Sequence, residues 1–332
     1  MLEIDGSYGE GGGQILRMAV ALSALTGKSI RVYNIRAGRP NPGLKNQHVT
    51  AINAVAKLCN AKVKGLYVGS KTIEFHPQKI KGGEYIFDVG TAGSVTLVMQ
   101  ACLLPALMAE EETYFKIKGG TDVKWAPPWD YFQNVFLKLL EKMGCYIEAY
   151  LNQRGYYPVG GGEVEAYVEP CELHAMDFNE EIEKIRGIIN IANLPSSIAE
   201  RIEKAAMEEL KKHGMTADMA IEETTAKSAG VGIVLWSEPK LLGSDSLGER
   251  GKPAEEVGKE AARKLIEEIE SDTDLDEKAV DQLLPYLAIT GGKFKARVIS
   301  KHAETEMWLL KKFINVDFKI KRDGLYSIEV IK

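Results

Sequence analysis

Two glycine runs carry the side chains whose types and spacing suit ligand chemistry. One is Gly9-Glu10-Gly11-Gly12-Gly13-Gln14, just ahead of an apolar helical pattern with Arg17 on its first turns. The other is Arg154-Gly155-Tyr156-Tyr157-Pro158-Val159-Gly160-Gly161-Gly162-Glu163-Val164. Three consecutive glycines serve neither helix nor strand propensity. Their use lies in the backbone, because glycine reaches positive φ and lets main-chain N–H groups approach a ligand, at a cost of roughly 0.5–1 kcal/mol per residue in regular structure. With an arginine beside each run, the chemistry is the binding of an anion or a nucleotide. The competing reading, a pair of tight hairpin turns, is weaker for two such runs than for one.

The elements that must position these residues follow a repeat. Gln14 to Thr26 reads as an apolar helix stopped by Gly27, followed by a strand from Ser29 to Ile35, a Gly/Pro loop through Gly43, a helix from Asn46 to Leu58, and strands near 62–68 and 72–75. The same order recurs with a helix at 91–108, a strand at 113–118, a loop at 119–128, a helix at 129–143 and strands at 145–150 and 163–168. A third copy has helices at 279–289 and 304–313 and strands at 293–299, 318–322 and 326–331. The expected fold is therefore α/β (α+β), with three helix-strand-helix-strand-strand units packed around a pseudo-threefold. Residues 184–274 break the repeat with strands at 187–191, 217–222 and 230–236 and helices at 199–213 and 254–270, which predicts a smaller inserted α/β domain. Residues 1–183 and 275–332 then form the large domain. The segment 243–252 reads as a flexible loop, since its lysine is not followed by Ser or Thr as a phosphate loop requires. Each repeat's second helix starts after a Gly/Pro loop, near Gln47-His48, near Pro127-Pro128-Trp129 and near His302. Helix N-termini carry unpaired N–H groups and partial positive charge, so the three starts suit phosphate.

Composition bounds the function. The 332 residues are 45% apolar and 27% charged with a net charge of −5, which fits a globular protein and argues against bulk electrostatic coating of nucleic acid. Any nucleic-acid contact is expected in a confined cleft. The cysteines, Cys59, Cys102, Cys145 and Cys171, lie far apart in apolar stretches, without zinc spacing or a disulfide framework, and read as buried thiols in a reducing compartment. No apolar run reaches transmembrane length and Met1-Leu2-Glu3-Ile4-Asp5 has no signal-peptide pattern, so a cytoplasmic protein without a membrane partner is expected.

The segments Asp5 to Arg17, Ile35-Arg36-Ala37-Gly38-Arg39-Pro40 and RGYYPVGGGEV resemble the RNA 3'-terminal phosphate cyclase family, from end to end and in the expected order. The resemblance implies a three-repeat fold with a smaller insert. It also implies an ATP-dependent reaction in which an RNA 3'-phosphate becomes a 2',3'-cyclic phosphate, with release of AMP and pyrophosphate, after a histidine accepts AMP covalently. In the matching segment, Ser300 to Glu306, that histidine is His302. The family pattern has a Thr-Asn pair after the histidine where this chain has Thr305-Glu306, so no role is carried onto Glu306. The resemblance further assigns adenylate contacts to Gln100, Pro127, Asp281 and Gln282, and Glu10 is the candidate contact for a divalent metal, Mg or Mn.

The residues suit those roles. A neutral imidazole has a usable lone pair near neutral pH. Arg17, Arg36, Arg39, Gln47 and His48 cluster in the first repeat, where arginine forks suit terminal phosphate oxygens. His48 is a candidate for assisting proton transfer from the 2'-hydroxyl, although the proximity of that hydroxyl reduces the need for a base. The partners implied are ATP and an RNA 3'-phosphate end. A homo-oligomer is compatible with the sequence and is not specified by it. Three rivals compete: a non-catalytic ribosome-assembly relative, which is expected to lack the histidine and parts of the glycine signature; an enolpyruvyl transferase, which has six repeats in a longer chain; and a plain RNA-binding module, which needs no ATP.

Overall fold

The computed structural model describes all 332 residues. The first sheet combines β1 (Leu2–Asp5), β2 (Ile30–Tyr33), β3 (Lys62–Lys64) and β4 (Ile73–His76) in the order β1-β2-β4-β3. β1 runs parallel to β2 with Leu2 opposite Ile30, and the other pairs are antiparallel. The parallel pair needs a crossover, supplied by α1 (Gln14–Thr26), while α2 (Asn46–Leu58) joins β2 to β3. Gly27, at φ 69°, ends α1 in the left-handed conformation.

The second sheet repeats this connectivity. It contains β5 (Gly83–Asp88), β6 (Thr113–Gly119), β7 (Ile147–Gln153) and β8 (Gly162–Val168) in the order β5-β6-β8-β7, again with one parallel pair. Its crossover is α3 (Val95–Leu107), capped by the Ser94 hydroxyl, which accepts from Leu97 N at 3.2 Å. Every residue of α3 except Gln100 is buried, which makes it a central packing element. The following helical segment is α4 (Trp129–Tyr131), a π turn (Phe132–Phe136) and α5 (Leu137–Lys142).

A separate four-stranded sheet then holds β9 (Ile182–Ala192), β10 (Ala217–Thr224), β11 (Gly230–Pro239) and β12 (Gly243–Leu247) in the order β10-β9-β11-β12, with α6 (Ser197–Lys212) and α7 (Ala254–Glu270) packed on each other. Its apolar core, built around Ile189, Ile202, Leu210, Leu235 and Leu265, is distinct from the cluster that the other three sheets share with their helices. The chain ends with α8 (Glu277–Thr290), β13 (Gly292–Ala296), α9 (Lys301–Phe313), β14 (Asp317–Asp323) and β15 (Leu325–Ile331), in a sheet of order β13-β15-β14. No helix is long and apolar enough to cross a membrane.

The class is mixed α/β, as the periodicity indicated. Four details differ. The first two units open with an additional strand, β1 and β5, before the helix. The helix expected from Thr91 starts at Val95, because Ser94 caps it. The segment 243–252, expected as a flexible loop, contributes β12, paired antiparallel with β11 from Gly232↔Leu247 to Trp236↔Gly243. The cysteines, far apart in sequence, are not all apart in space: Cys145 and Cys171 are free thiols with sulfurs 3.4 Å apart, brought together by the β7–β8 pair.

Candidate active site

α1 packs against α2, α3 and α9, and α8 packs against α3 and α9. This arrangement brings the ends of the chain together. His302 is the second residue of α9, whose first turn is capped by Ser300 Oγ accepting from Ala303 N at 3.0 Å. The imidazole is partly exposed, so a ligand can reach it. Its Nε2 lies 3.0 Å from Glu10 Oε2, and its Nδ1 contacts Gln14 Oε1. Arg39 Nη2 stands 3.6 Å from the same Glu10 oxygen. Burial lowers the His302 pKa from its ordinary value, with Glu10 pulling it up and Arg17 and Arg39 pulling it down. Gln14 had no role assigned from sequence. Its place in the first glycine run was the available signal, but its contact with His302 joins the two ends of the chain.

The glycine run that holds Glu10 is shaped by close packing. A methyl group on Gly13 would collide with the His48 ring, and Arg17 Nη1 lies 3.2 Å from that same position. His48 is buried, and its Nδ1 accepts a hydrogen bond from Lys45 N at 3.0 Å. Burial, then Arg17, Arg36 and Lys45, push its imidazole down to about 3. The ring is neutral at physiological pH, and with Nδ1 filled its proton sits on Nε2, which makes that nitrogen a donor. Arg17 is pushed down to about 10 by burial against the upward pull of Glu306 and Asp281, and so stays charged.

The remaining expected residues fall into two groups on the same helices. Gln100, the one unburied position of α3, donates from Nε2 to Gln282 Oε1 at 2.9 Å. This pair leaves Gln100 Oε1 and Gln282 Nε2 for a ligand. Asp281 stands beside Gln282, its carboxyl pushed up to about 7 by burial and by Asp276 and Glu277. Pro127 O accepts from Thr96 Oγ1 at 2.8 Å, and Thr96 Oγ1 lies 2.8 Å from the capping hydroxyl of Ser94. Ser94 N in turn donates to Gln47 Oε1 at 3.1 Å, which ties the start of α2 to the start of α3.

Two basic residues of the first repeat have partners within the protein. Arg36, at φ 54°, donates from Nη1 to Asn41 O and Gly43 O at 2.8 and 2.9 Å, so one end of its guanidinium closes the loop between β2 and α2. Arg39 lies against Glu10, the residue that faces His302.

The second glycine run also reads differently. Arg154 is buried, with Asp122 Oδ2 at 3.1 Å, Asp130 Oδ1 at 2.9 Å and Glu222 Oε2 at 2.6 Å. Asn190 on β9 donates to both Asp122 and Asp130, and accepts from the Tyr156 hydroxyl at 2.8 Å. Burial opposes the charge on Arg154, but the three carboxylates hold its pKa above its ordinary value. The guanidinium is therefore occupied by protein carboxylates, and it joins the loop after β7 to α4 and β10. The triple glycine makes the turn: Gly161 sits at φ 76°, and a Cβ there would come within 3.0 Å of Lys227 Cε. This geometry is the hairpin alternative, and the arginine beside the run is not free for an anion.

Residues 8–320 match the model of the RNA 3'-terminal phosphate cyclase family. A curated protein of Pyrococcus furiosus named RNA 3'-terminal phosphate cyclase is 50% identical over 327 residues, which are 97% of this chain and 95% of that protein. One of the same name from Methanosarcina barkeri is 46% identical over 333 residues, 99% of this chain and 100% of the relative. Another from Methanopyrus kandleri is 47% identical over 337 residues, 97% and 95% of the two chains.

Proposed function

Because the chain belongs to the RNA 3'-terminal phosphate cyclase family, we propose that it is an ATP-dependent enzyme converting an RNA 3'-phosphate to a 2',3'-cyclic phosphate through an adenylylated histidine. The observation that supports this most is the setting of His302: a partly exposed imidazole at a helix N-terminus, with Gln14 on Nδ1, Glu10 beside Nε2 and Arg39 on Glu10. Gln14 Oε1 accepts a hydrogen bond from Nδ1–H, so the lone pair is on Nε2. That lone pair attacks the α-phosphorus of ATP, an N–P bond forms, and the bond to pyrophosphate breaks. An oxygen of the RNA 3'-phosphate then attacks the same phosphorus, and the N–P bond returns its electrons to His302. The 2'-hydroxyl closes on the activated 3'-phosphorus, AMP leaves, and the hydroxyl proton passes to water. Proximity of that hydroxyl lowers the barrier of the last step.

The other side chains divide between the two ends of the reaction. Gln100, Asp281 and Gln282 offer amide and carboxyl groups to the adenylate, with Pro127 walling the same end. Arg17 and Arg39 are placed for phosphate oxygens by charge-assisted bonds. Arg36 shapes the loop that carries Arg39 and retains its second guanidinium nitrogen for the RNA end. His48 serves the phosphate as a donor through Nε2. Gln47 holds the start of α2 on which His48 stands.

Glu10 is the group that would hold a divalent metal. When His302 is neutral with its proton on Nδ1, Nε2 and Glu10 Oε2 face each other as two acceptors at 3.0 Å, an arrangement that a cation suits. A single carboxylate with no acidic or histidine cluster around it fits Mg or Mn bound chiefly through substrate phosphates. Such an ion would neutralise charge on the triphosphate. Incubation with ATP and Mg or Mn, followed by addition of a 3'-phosphorylated oligoribonucleotide, tests the whole sequence: a cyclic phosphate end together with AMP is expected, and an unchanged 3'-phosphate would refute the reading.

A further inference from the structure

Glu306 lies one helical turn beyond His302 on α9, so the two side chains share a face. It is 1% exposed. Its Oε2 accepts from Gln14 Nε2 at 3.1 Å, while its Oε1 is buried without any hydrogen-bond partner. Gln14 Nε2 also faces the main-chain oxygen of His302, at 3.4 Å. The other end of the same amide, Oε1, meets His302 Nδ1. A glutamine side chain can be turned by half a rotation at little cost unless its partners distinguish the two ends. Here they do.

We propose that Glu306 is a positioning residue that fixes the Gln14 amide, and through it the imidazole tautomer that leaves Nε2 of His302 free to act as nucleophile. With Glu306 Oε2 and His302 O both accepting, the NH2 end of Gln14 must point toward them. The carbonyl end then points to His302 Nδ1, which must be the protonated nitrogen. The opposite rotation sets the Gln14 carbonyl against two acceptors and its NH2 against Nδ1, which moves the ring proton to Nε2 and removes the attacking lone pair. The carboxyl serves as an acceptor in either charge state; burial, and then Asp281, raise its pKa well above the ordinary value, with Gln14 and Arg17 opposing. A buried acid without an ion pair is costly unless it serves a partner, and Gln14 is the one that it touches.

The inference rests on His302 being the nucleophile. The test uses full-length protein labelled with 15N-histidine, with the His302 signals assigned by difference from His302→Ala, and the nitrogen shifts read near pH 8. In parallel, the rate of adduct formation is followed over a range of ATP concentrations. With Mg present to take up the Glu10 carboxylate that faces Nε2, the unsubstituted protein is expected to show a protonated Nδ1 and a bare Nε2. Glu306→Leu should lose this preference and slow adduct formation by about two- to tenfold, the equivalent of one lost neutral hydrogen bond, with the apparent ATP affinity unchanged. Glu306→Gln, whose carbonyl still accepts from Gln14, should restore both the tautomer and the rate. A folded Glu306→Leu protein with the wild-type tautomer or rate would overturn the proposal, as would a loss confined to ATP affinity. If Glu306→Leu does not fold, Gln14→Met carries the same test by cutting the link at its middle, and a retained Nδ1 proton there would be equally contrary. Absence of any adduct on the unsubstituted protein would instead count against His302 as nucleophile, while the nitrogen shifts would still decide the role of Glu306.

Discussion

Arg39 Nη2 lies 3.6 Å from Glu10 Oε2, the same oxygen that stands 3.0 Å from His302 Nε2. A residue grouped by sequence with Arg17 and Arg36 thus touches the carboxylate that faces His302. Arg39→Ala is expected to slow both adenylylation of His302 and transfer to the RNA 3'-phosphate, each by roughly ten- to a hundredfold if one charge-assisted bond is lost. Single-turnover rates of the two half-reactions check this, and an effect on transfer alone would return Arg39 to the RNA end.

Arg36 should behave differently. Its two bonds to Asn41 O and Gly43 O shape the loop that carries Arg39, so Arg36→Ala is expected to lower the melting temperature and to weaken both half-reactions, transfer more than self-adenylylation. Equal loss in both half-reactions would contradict the separation.

The buried His48 gives a pH signature. Its folded pKa, about 3, lies below that of an unfolded histidine, so the unfolded chain binds one more proton between these values. The stability it contributes is complete above the unfolded pKa and is lost as pH falls from there toward 3, at about 1.4 kcal/mol per pH unit. His48→Gln should therefore flatten the dependence of melting temperature on pH between pH 6.5 and 5. Parallel curves for the two proteins would show that His48 is not held neutral.

Arg154 and Gly161 test the structural reading of the second glycine run. Arg154→Met leaves Asp122 and Asp130 buried without their cation and should cost about 3–5 kcal/mol in urea unfolding. Gly161→Ala forces a side chain to positive φ and should cost about 1 kcal/mol or more, with normal turnover per folded molecule. Near-native stability with poor nucleotide turnover in either variant would restore the run as a ligand site.

Much of this fold was legible because apolar periodicity marks helices such as α1 and α3 and strands such as β6 and β8. The additional strands were not. β5, Gly-Glu-Tyr-Ile-Phe-Asp, buries only Phe87, and β12, Gly-Ser-Asp-Ser-Leu, has small polar residues of low strand propensity that are ordered by pairing with β11 and packing under α7. At the candidate site, His302, Glu10 and Gln100 were named by motif. Their couplings were not, because Gln14 and Glu306 meet only when α1 packs on α9. The partners of Arg154 were equally hidden: Asp122, Asp130 and Glu222 come from three separate segments, and only the assembled fold shows the charge already satisfied.

The central claim is that His302 carries the adenylyl group. Intact-mass measurement after incubation with ATP and Mg or Mn, followed by peptide mapping, reports on it directly. The expected result is one added adenylyl group, mapped to the peptide containing His302, labile to mild acid as a phosphoramidate should be, and absent from a normally folded His302→Ala protein. An adduct of undiminished yield in His302→Ala, or one mapped to another residue, would contradict it.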